Sequence, residues 1–134
     1  MKNLEESKSM LTLNKVQIDK LFFERHSSSA FKIDFDEKLV FNHSIEQVEG
    51  NDFKVSLGIS ITSEGMYRIF AQISGFFTVS LESAMGKRLL ENNTIAILFP
   101  YLRSQLTLLS SQPGFEPIIL PVINVNALLN NEAE

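Results

Sequence analysis

The sequence predicts an α+β fold: a four-stranded antiparallel sheet with a main helix and a short C-terminal helix packed on it. Three observations lead there. Apolar and polar residues alternate through most of residues 10–80, the period of strands with one buried face. Beyond residue 83 the apolar spacing changes to three and four, the period of a helix. Turn-forming residues sit between the segments, as in Gly50-Asn51-Asp52 and Ser63-Glu64-Gly65. A chain that places strands first and helices last stacks its helices on one sheet.

Residues 1–9 are polar and charged and read as a flexible tail, leaving 10–134 as a single domain. In the first strand, 10–25, Leu11 and Leu13 alternate, then Val16 and Ile18, then Leu21 and Phe23, with a slip of one residue between pairs. A slip swaps the faces of a strand, so bulges are expected there. The second strand starts with Phe31, Ile33 and Phe35 and continues through Leu39, Phe41 and Ile45 to about residue 47. Phe53, Val55, Leu57, Ile59 and Ile61 mark the third, the cleanest alternation in the chain. Tyr67, Ile69, Ala71, Ile73, Gly75, Phe77 and Val79 mark one face of the fourth, with Phe70 and Phe76 as apolar intruders on the other. Short links suggest a meander in chain order. Gly75 in mid-strand implies close backbone packing. Ser83 can cap a short helix to about Leu90, broken by Asn92-Asn93. Thr94 then caps the main helix, 95–111, which Pro113-Gly114 stops. Asn124 or Asn126 can cap a last short helix through Leu129.

The main helix is apolar on two sides. Ile95, Leu98, Phe99, Leu102, Leu106 and Leu109 form a stripe that can lie on the sheet. Ile97, Tyr101 and Leu108 form a second, which must meet another surface or stay wet. A patch of a few hundred Å² is about the size that signals a partner, so a subunit interface is expected on this stripe. Pro100 lies inside the helix, where it removes a donor and clashes one turn back; a kink or a later helix start is expected.

Composition excludes several classes. The chain has 134 residues, consistent with one domain. With no cysteine it can form neither a disulfide nor a zinc–thiolate site. A net charge of −4 and scattered basic residues argue against a nucleic-acid partner. The longest apolar run is the five residues Ile95–Phe99, far short of the ~20 of a membrane span, and residues 1–10 lack a signal-peptide core. A cytoplasmic protein without membrane insertion is expected. His26 and His43 lie in a loop and near a strand end, away from metal-ligand spacing, and no serine lies in a nucleophile elbow. Asp34 and Asp36 lack the further oxygen ligands calcium needs. Neither cofactor nor metal is expected, and no catalytic residue stands out. The enzyme alternative, a small thioesterase-like hydrolase enclosing an apolar ligand, needs a buried acid or histidine that nothing marks. Eleven Phe, two Tyr and no Trp give large apolar area with few polar handles, suited to a core, an interface or a binding surface.

Ile97-Leu98-Phe99-Pro100-Tyr101, then Gly114-Phe115-Glu116-Pro117, then Asn124 to Leu128 resemble, in order and spacing, the signature of the SecB family of protein-export chaperones. The opening strand and Ser74-Gly75-Phe76-Phe77-Thr78-Val79 are also similar to their counterparts in that family. The resemblance covers about residues 10–130. It implies a dimer of dimers whose main helices pack between dimers, which would place Ile97, Tyr101 and Leu108 at the contact. It implies no enzymatic activity, but ATP-independent holding of unfolded or partly folded proteins such as preproteins. It places a client-binding groove at Phe31, Ile33 and Phe35, with Leu128 and Leu129 across from them and Phe115 as a further candidate. Relatives that serve an antitoxin of a toxin–antitoxin system offer a second, dedicated reading. Three departures stand out. The 25–30 loop is short, and 36–51 is long. Of the acids with which the family docks the export motor SecA, only Glu24 has a match: Lys20 stands at an acid's position, and Arg68 and Phe70 replace an apolar residue and an acid.

Overall fold

Strict alternation builds the centre of the sheet. In the computed structural model, which describes residues 11–26, 38–63, 65–80 and 84–121, β3 (Asp52–Ser63) and β4 (Tyr67–Val79) pair antiparallel around the turn containing Gly65. Val55, Leu57, Ile59 and Ile61 of β3 and Tyr67, Ile69, Ala71, Ile73, Phe77 and Val79 of β4 are buried on one shared face. β2 (Lys38–Glu49) flanks β3, and β1 (Leu11–Arg25) flanks β4, so the sheet order is β1-β4-β3-β2 with every pair antiparallel.

That order corrects the expected meander. β2, β3 and β4 do run as one, but β1 lies beside β4, from Leu11 opposite Val79 to Arg25 opposite Tyr67. Tight hairpins join neighbours through two to five residues. The link between Arg25 and Lys38 is longer, and it joins the two outer strands across three inter-strand spacings, about 14 Å. The described part of β2 begins at Lys38; Phe31, Ile33 and Phe35 lie outside the described residues.

The phase slips in β1 are bulges, as expected. Register shifts fall between Leu13 and Lys15 and between Ile18 and Lys20, so Asn14 and Asp19 are the extra residues. Each bulge restores the apolar residues to the core side. Leu11, Leu13, Val16, Ile18, Leu21 and Phe23 consequently face the same way as β4's Val79, Phe77, Gly75, Ile73, Ala71 and Ile69.

The helical part is more continuous than its sequence suggested. α1 (Ala84–Arg88) passes through a π-turn, Leu89–Asn93, directly into α2 (Thr94–Ser110). Asn92-Asn93 does not break it, and Asn93 has helical angles (φ −75°, ψ −30°). Thr94 is no cap: its buried hydroxyl donates to the Leu90 carbonyl at 2.6 Å. One wide turn absorbs the polar pair that would end an ordinary helix. Ser83 and the expected final helix lie outside the described residues. Pro100 stands well inside α2 on its exposed side. Ala96, whose carbonyl loses its N–H partner to the proline, is exposed too. Past Ser110 the chain leaves the helix, and Gly114 takes φ +76°, open to glycine without strain.

The first stripe packs as expected: Ile95, Leu98, Phe99, Leu102 and Leu106 are buried against β3 and β4. Gly75 sets how closely. A Cβ there would stand 2.6 Å from Leu98 Cδ2 and 2.7 Å from the Phe77 ring. Gly75→Ala should therefore lower stability by about 1–3 kcal/mol, seen as a lower urea midpoint. An unchanged midpoint would mean that the helix stands off the sheet.

Candidate functional site

A single helix covers only part of this sheet. A helix is about 10 Å across, and strands lie about 4.8 Å apart. α2 sits over the central strands, and the outer strands keep apolar side chains on the same face in solvent. On β1, Ile18 and Leu21 are 48% and 44% exposed. On β2, Leu39 and Ile45 pair with core residues Ile61 and Val55, yet both are exposed. Only Phe41 of β2 is fully covered, by Phe99 at 6.2 Å between ring centroids. Sequence periodicity put these residues on the core face but could not show that the core ends short of them.

The second stripe of α2 is where the sequence placed it. Tyr101 is 46% and Leu108 64% exposed, while Ile97 is half-buried against the core. Beyond the helix, the chain folds back along it. Thr107 donates to the Ile118 carbonyl at 2.7 Å, and the Ile118 amide donates to Ser110 Oγ at 2.7 Å. Ile118 and Leu120 point into the core, and Ile119 points out.

Phe115 is buried, with its ring edge-on to both Phe23 and Tyr67 at 5.1 Å. In the described chain it closes one end of the core. Phe31, Ile33, Phe35, Leu128 and Leu129 lie outside the described residues. Glu24 is exposed, and its carboxylate meets His26 Nε2 at 2.8 Å. Among the described residues no cluster of His, Asp or Glu is arranged to hold a metal ion. No helix there is long and apolar enough to cross a membrane.

The opposite face of the sheet carries a polar network around Asp19, the second bulge residue of β1. Gln17 Nε2 donates to Asp19 Oδ1 at 2.9 Å, and the Ser74 hydroxyl donates to Oδ2. Ser74 has one proton and gives it to Asp19, so Ser56, 2.8 Å away, donates to Ser74. Burial pushes the Asp19 pKa up. Hydrogen bonds from Ser74, Gln17 and Gln72 and the charge of Lys54 outweigh it and hold the pKa below the ordinary aspartate value.

Comparison with known proteins adds the context for these surfaces. The family model for the preprotein translocase subunit SecB matches residues 4–134. The chain is 30% identical over 139 residues to the protein-export protein SecB of Methylococcus capsulatus, spanning 97% of this chain and 89% of that one. It is 31% identical over 93 residues to the protein of the same name from Saccharophagus degradans, spanning 65% of this chain and 55% of that one. In fold it is similar to a SecB-like chaperone of Mycobacterium tuberculosis, solved in complex with a peptide from the HigA1 antitoxin. That match has a TM-score of 0.67 at 12% identity and covers 89% of this chain and 91% of the other.

The Asp19 network yields a prediction with a definite sign. A depressed carboxylate pKa contributes stability above the unfolded value, about 4, and loses it as pH falls through the folded value. Ser74→Ala removes the strongest of these hydrogen bonds and leaves burial opposed by less. The Asp19 carboxyl, followed by NMR titration, should then titrate higher than in the native chain. The variant's stability deficit should be full at neutral pH and shrink in acid. An unmoved titration would show that the Ser74 contact contributes nothing.

Proposed function

The chain belongs to the SecB family, non-enzymatic chaperones of protein export, and on that premise we propose that it is an ATP-independent holdase. It binds unfolded or partly folded polypeptides along an apolar groove and keeps them competent for export. The observation that supports this reading is the apolar area left wet beside α2: Ile18 and Leu21 on one side, Leu39 and Ile45 on the other. Unfolded clients expose apolar segments, and an open apolar surface buries them with little sequence preference. Phe31, Ile33 and Phe35, with Leu128 and Leu129 opposite, form the groove in this reading. Phe115, packed between Phe23 and Tyr67, anchors its base. Several grooves on one assembly sum weak contacts through effective concentration.

The assembly is a homotetramer in this proposal, a dimer of dimers joined through Ile97, Tyr101 and Leu108, and its place is the cytoplasm. A second reading is a chaperone dedicated to one partner, such as an antitoxin. It is favoured by the structural likeness to a SecB-like chaperone holding an antitoxin peptide. Glu24, engaged by His26, stands alone among the acids expected to dock SecA, with Lys20 and Arg68 nearby. We infer that SecA docks weakly or not at all.

Three outcomes are expected. Sedimentation should give a mass well above the single chain, and Tyr101→Asp should lower it; a native monomer at micromolar concentration would contradict the interface. The protein should suppress aggregation of an unrelated unfolded client without nucleotide. Phe31→Ser with Phe35→Ser should weaken that binding while circular dichroism stays native, whereas binding to one small unstable protein alone would favour the dedicated reading. Titration with purified SecA should show no tight complex, and a submicromolar one would overturn that inference.

A further inference from the structure

The sheet face turned away from α2 has an open depression of about 680 Å³ whose lining includes Asp19, Lys20, Phe22, Ser60, Arg68 and Phe70. It follows from the register. Phe22 stands opposite Phe70, and Phe70 stands opposite Ser60, whose short side chain leaves room beside the rings. One row along the strands in one direction, Lys20 stands opposite Gln72; one row in the other, Arg68 stands opposite Glu24. The Arg68 guanidinium lies 5.9 Å from the Phe22 ring centroid. An aromatic floor is thus bracketed by two cations.

Neither cation has an acidic partner among the described residues. Glu24, across from Arg68, is turned to His26. Asp19, next to Lys20, takes its hydrogen bonds from Ser74, Gln17 and Gln72. The chain as a whole is acidic, with net charge −4, so this positive pair is a local exception. Large aromatic surface in water, flanked by cations without acidic partners, is complementary to an apolar group flanked by carboxylates.

We propose that this depression docks an acidic peptide segment of a partner protein. The segment places an aromatic or large aliphatic side chain over the Phe22–Phe70 row and a carboxylate two residues to either side of it. Same-face residues of a strand recur about every 6.6 Å, and an extended peptide has the same repeat. A pattern of acid, any residue, apolar residue, any residue, acid therefore matches Lys20, the ring row and Arg68 in turn. Single-stranded nucleic acid would suit stacked rings and cations too, but it needs a continuous positive track. Asp19 and Glu24 interrupt this one, and Glu46 and Asp52 sit farther along the same face, opposite Lys54 and Thr78. The site is separate from the proposed client surface at Ile18 and Leu39, whose side chains lie on the other side of the sheet.

The test uses the full chain and a fluorescein-labelled peptide, Ser-Gly-Asp-Gly-Phe-Gly-Asp-Gly-Ser, read by fluorescence anisotropy. Controls replace both aspartates by lysine, or the phenylalanine by glycine, and a labelled oligothymidine is run beside them. The acidic peptide should bind at least about tenfold more tightly than either control peptide and more tightly than the oligonucleotide. Lys20→Glu with Arg68→Glu should reverse the preference toward the lysine peptide. Aggregation suppression and native circular dichroism should persist in that variant, and Lys20→Arg should retain acidic-peptide binding. Absence of binding, equal affinity for the acidic and lysine peptides, or oligothymidine binding that the reversal abolishes would each overturn the proposal.

Discussion

The depth at which α2 sits on β4 governs the rest of this structure. Leu98 rests against the backbone at Gly75, where any side chain would collide with it. That contact holds the helix axis over the two central strands. A 17-residue helix is about 25 Å long and about 10 Å across, while the outer strand axes of a four-stranded sheet lie about 14 Å apart. Close seating at the centre fills the core there completely, as the buried residues of β3, β4 and α2 show. It also leaves the margins of the same sheet face bare, as at Ile18 and Leu39.

Those margins and the outer stripe of α2 define what the subunit can do. One exposed leucine yields about 1.5–3 kcal/mol on full burial, less than the roughly 4–15 kcal/mol or more that association costs. Several of Ile18, Leu21, Leu39, Ile45, Tyr101 and Leu108 must be covered at once to exceed that cost. That condition favours either a sister subunit across the helix stripe or an extended client along the sheet margins. The reverse face follows a different rule. Its Asp19–Ser74–Ser56 network satisfies its polar groups internally, while Phe22, Phe70, Lys20 and Arg68 remain open to a partner of another chemistry.

Much of this was legible from residue spacing, and the failures have physical causes. The bulges at Asn14 and Asp19 were visible because a strand that slips by one residue in apolar phase needs an inserted residue to keep its apolar side on the core. Gly75 was readable because a glycine amid β-branched and aromatic residues forfeits packing unless something fills its place. The stripe of Tyr101 and Leu108 was visible because a helix on a sheet needs only one apolar side. Strand order was not legible. Alternation records which face a residue takes, not which strand lies beside it, so the β1–β4 pairing was missed. The continuity of the two helices is not legible because Asn92-Asn93 is a breaker for an α-helix, whereas a π-turn accommodates it and lets Thr94 bond back to Leu90. The aromatic depression is not legible in the sequence either, since Phe22 and Phe70 meet only once β1 pairs with β4.

The proposed assembly covers the outer stripe of α2 with another copy of this chain. The sequence contains no tryptophan, so Tyr101→Trp would create a single reporter on that stripe. Its emission, followed over a dilution series, should be blue-shifted and shielded from iodide at micromolar concentration. It should shift red and become quenchable as the assembly dissociates. Red, fully quenchable emission at every concentration would contradict the account, because the stripe would then face water in the native state.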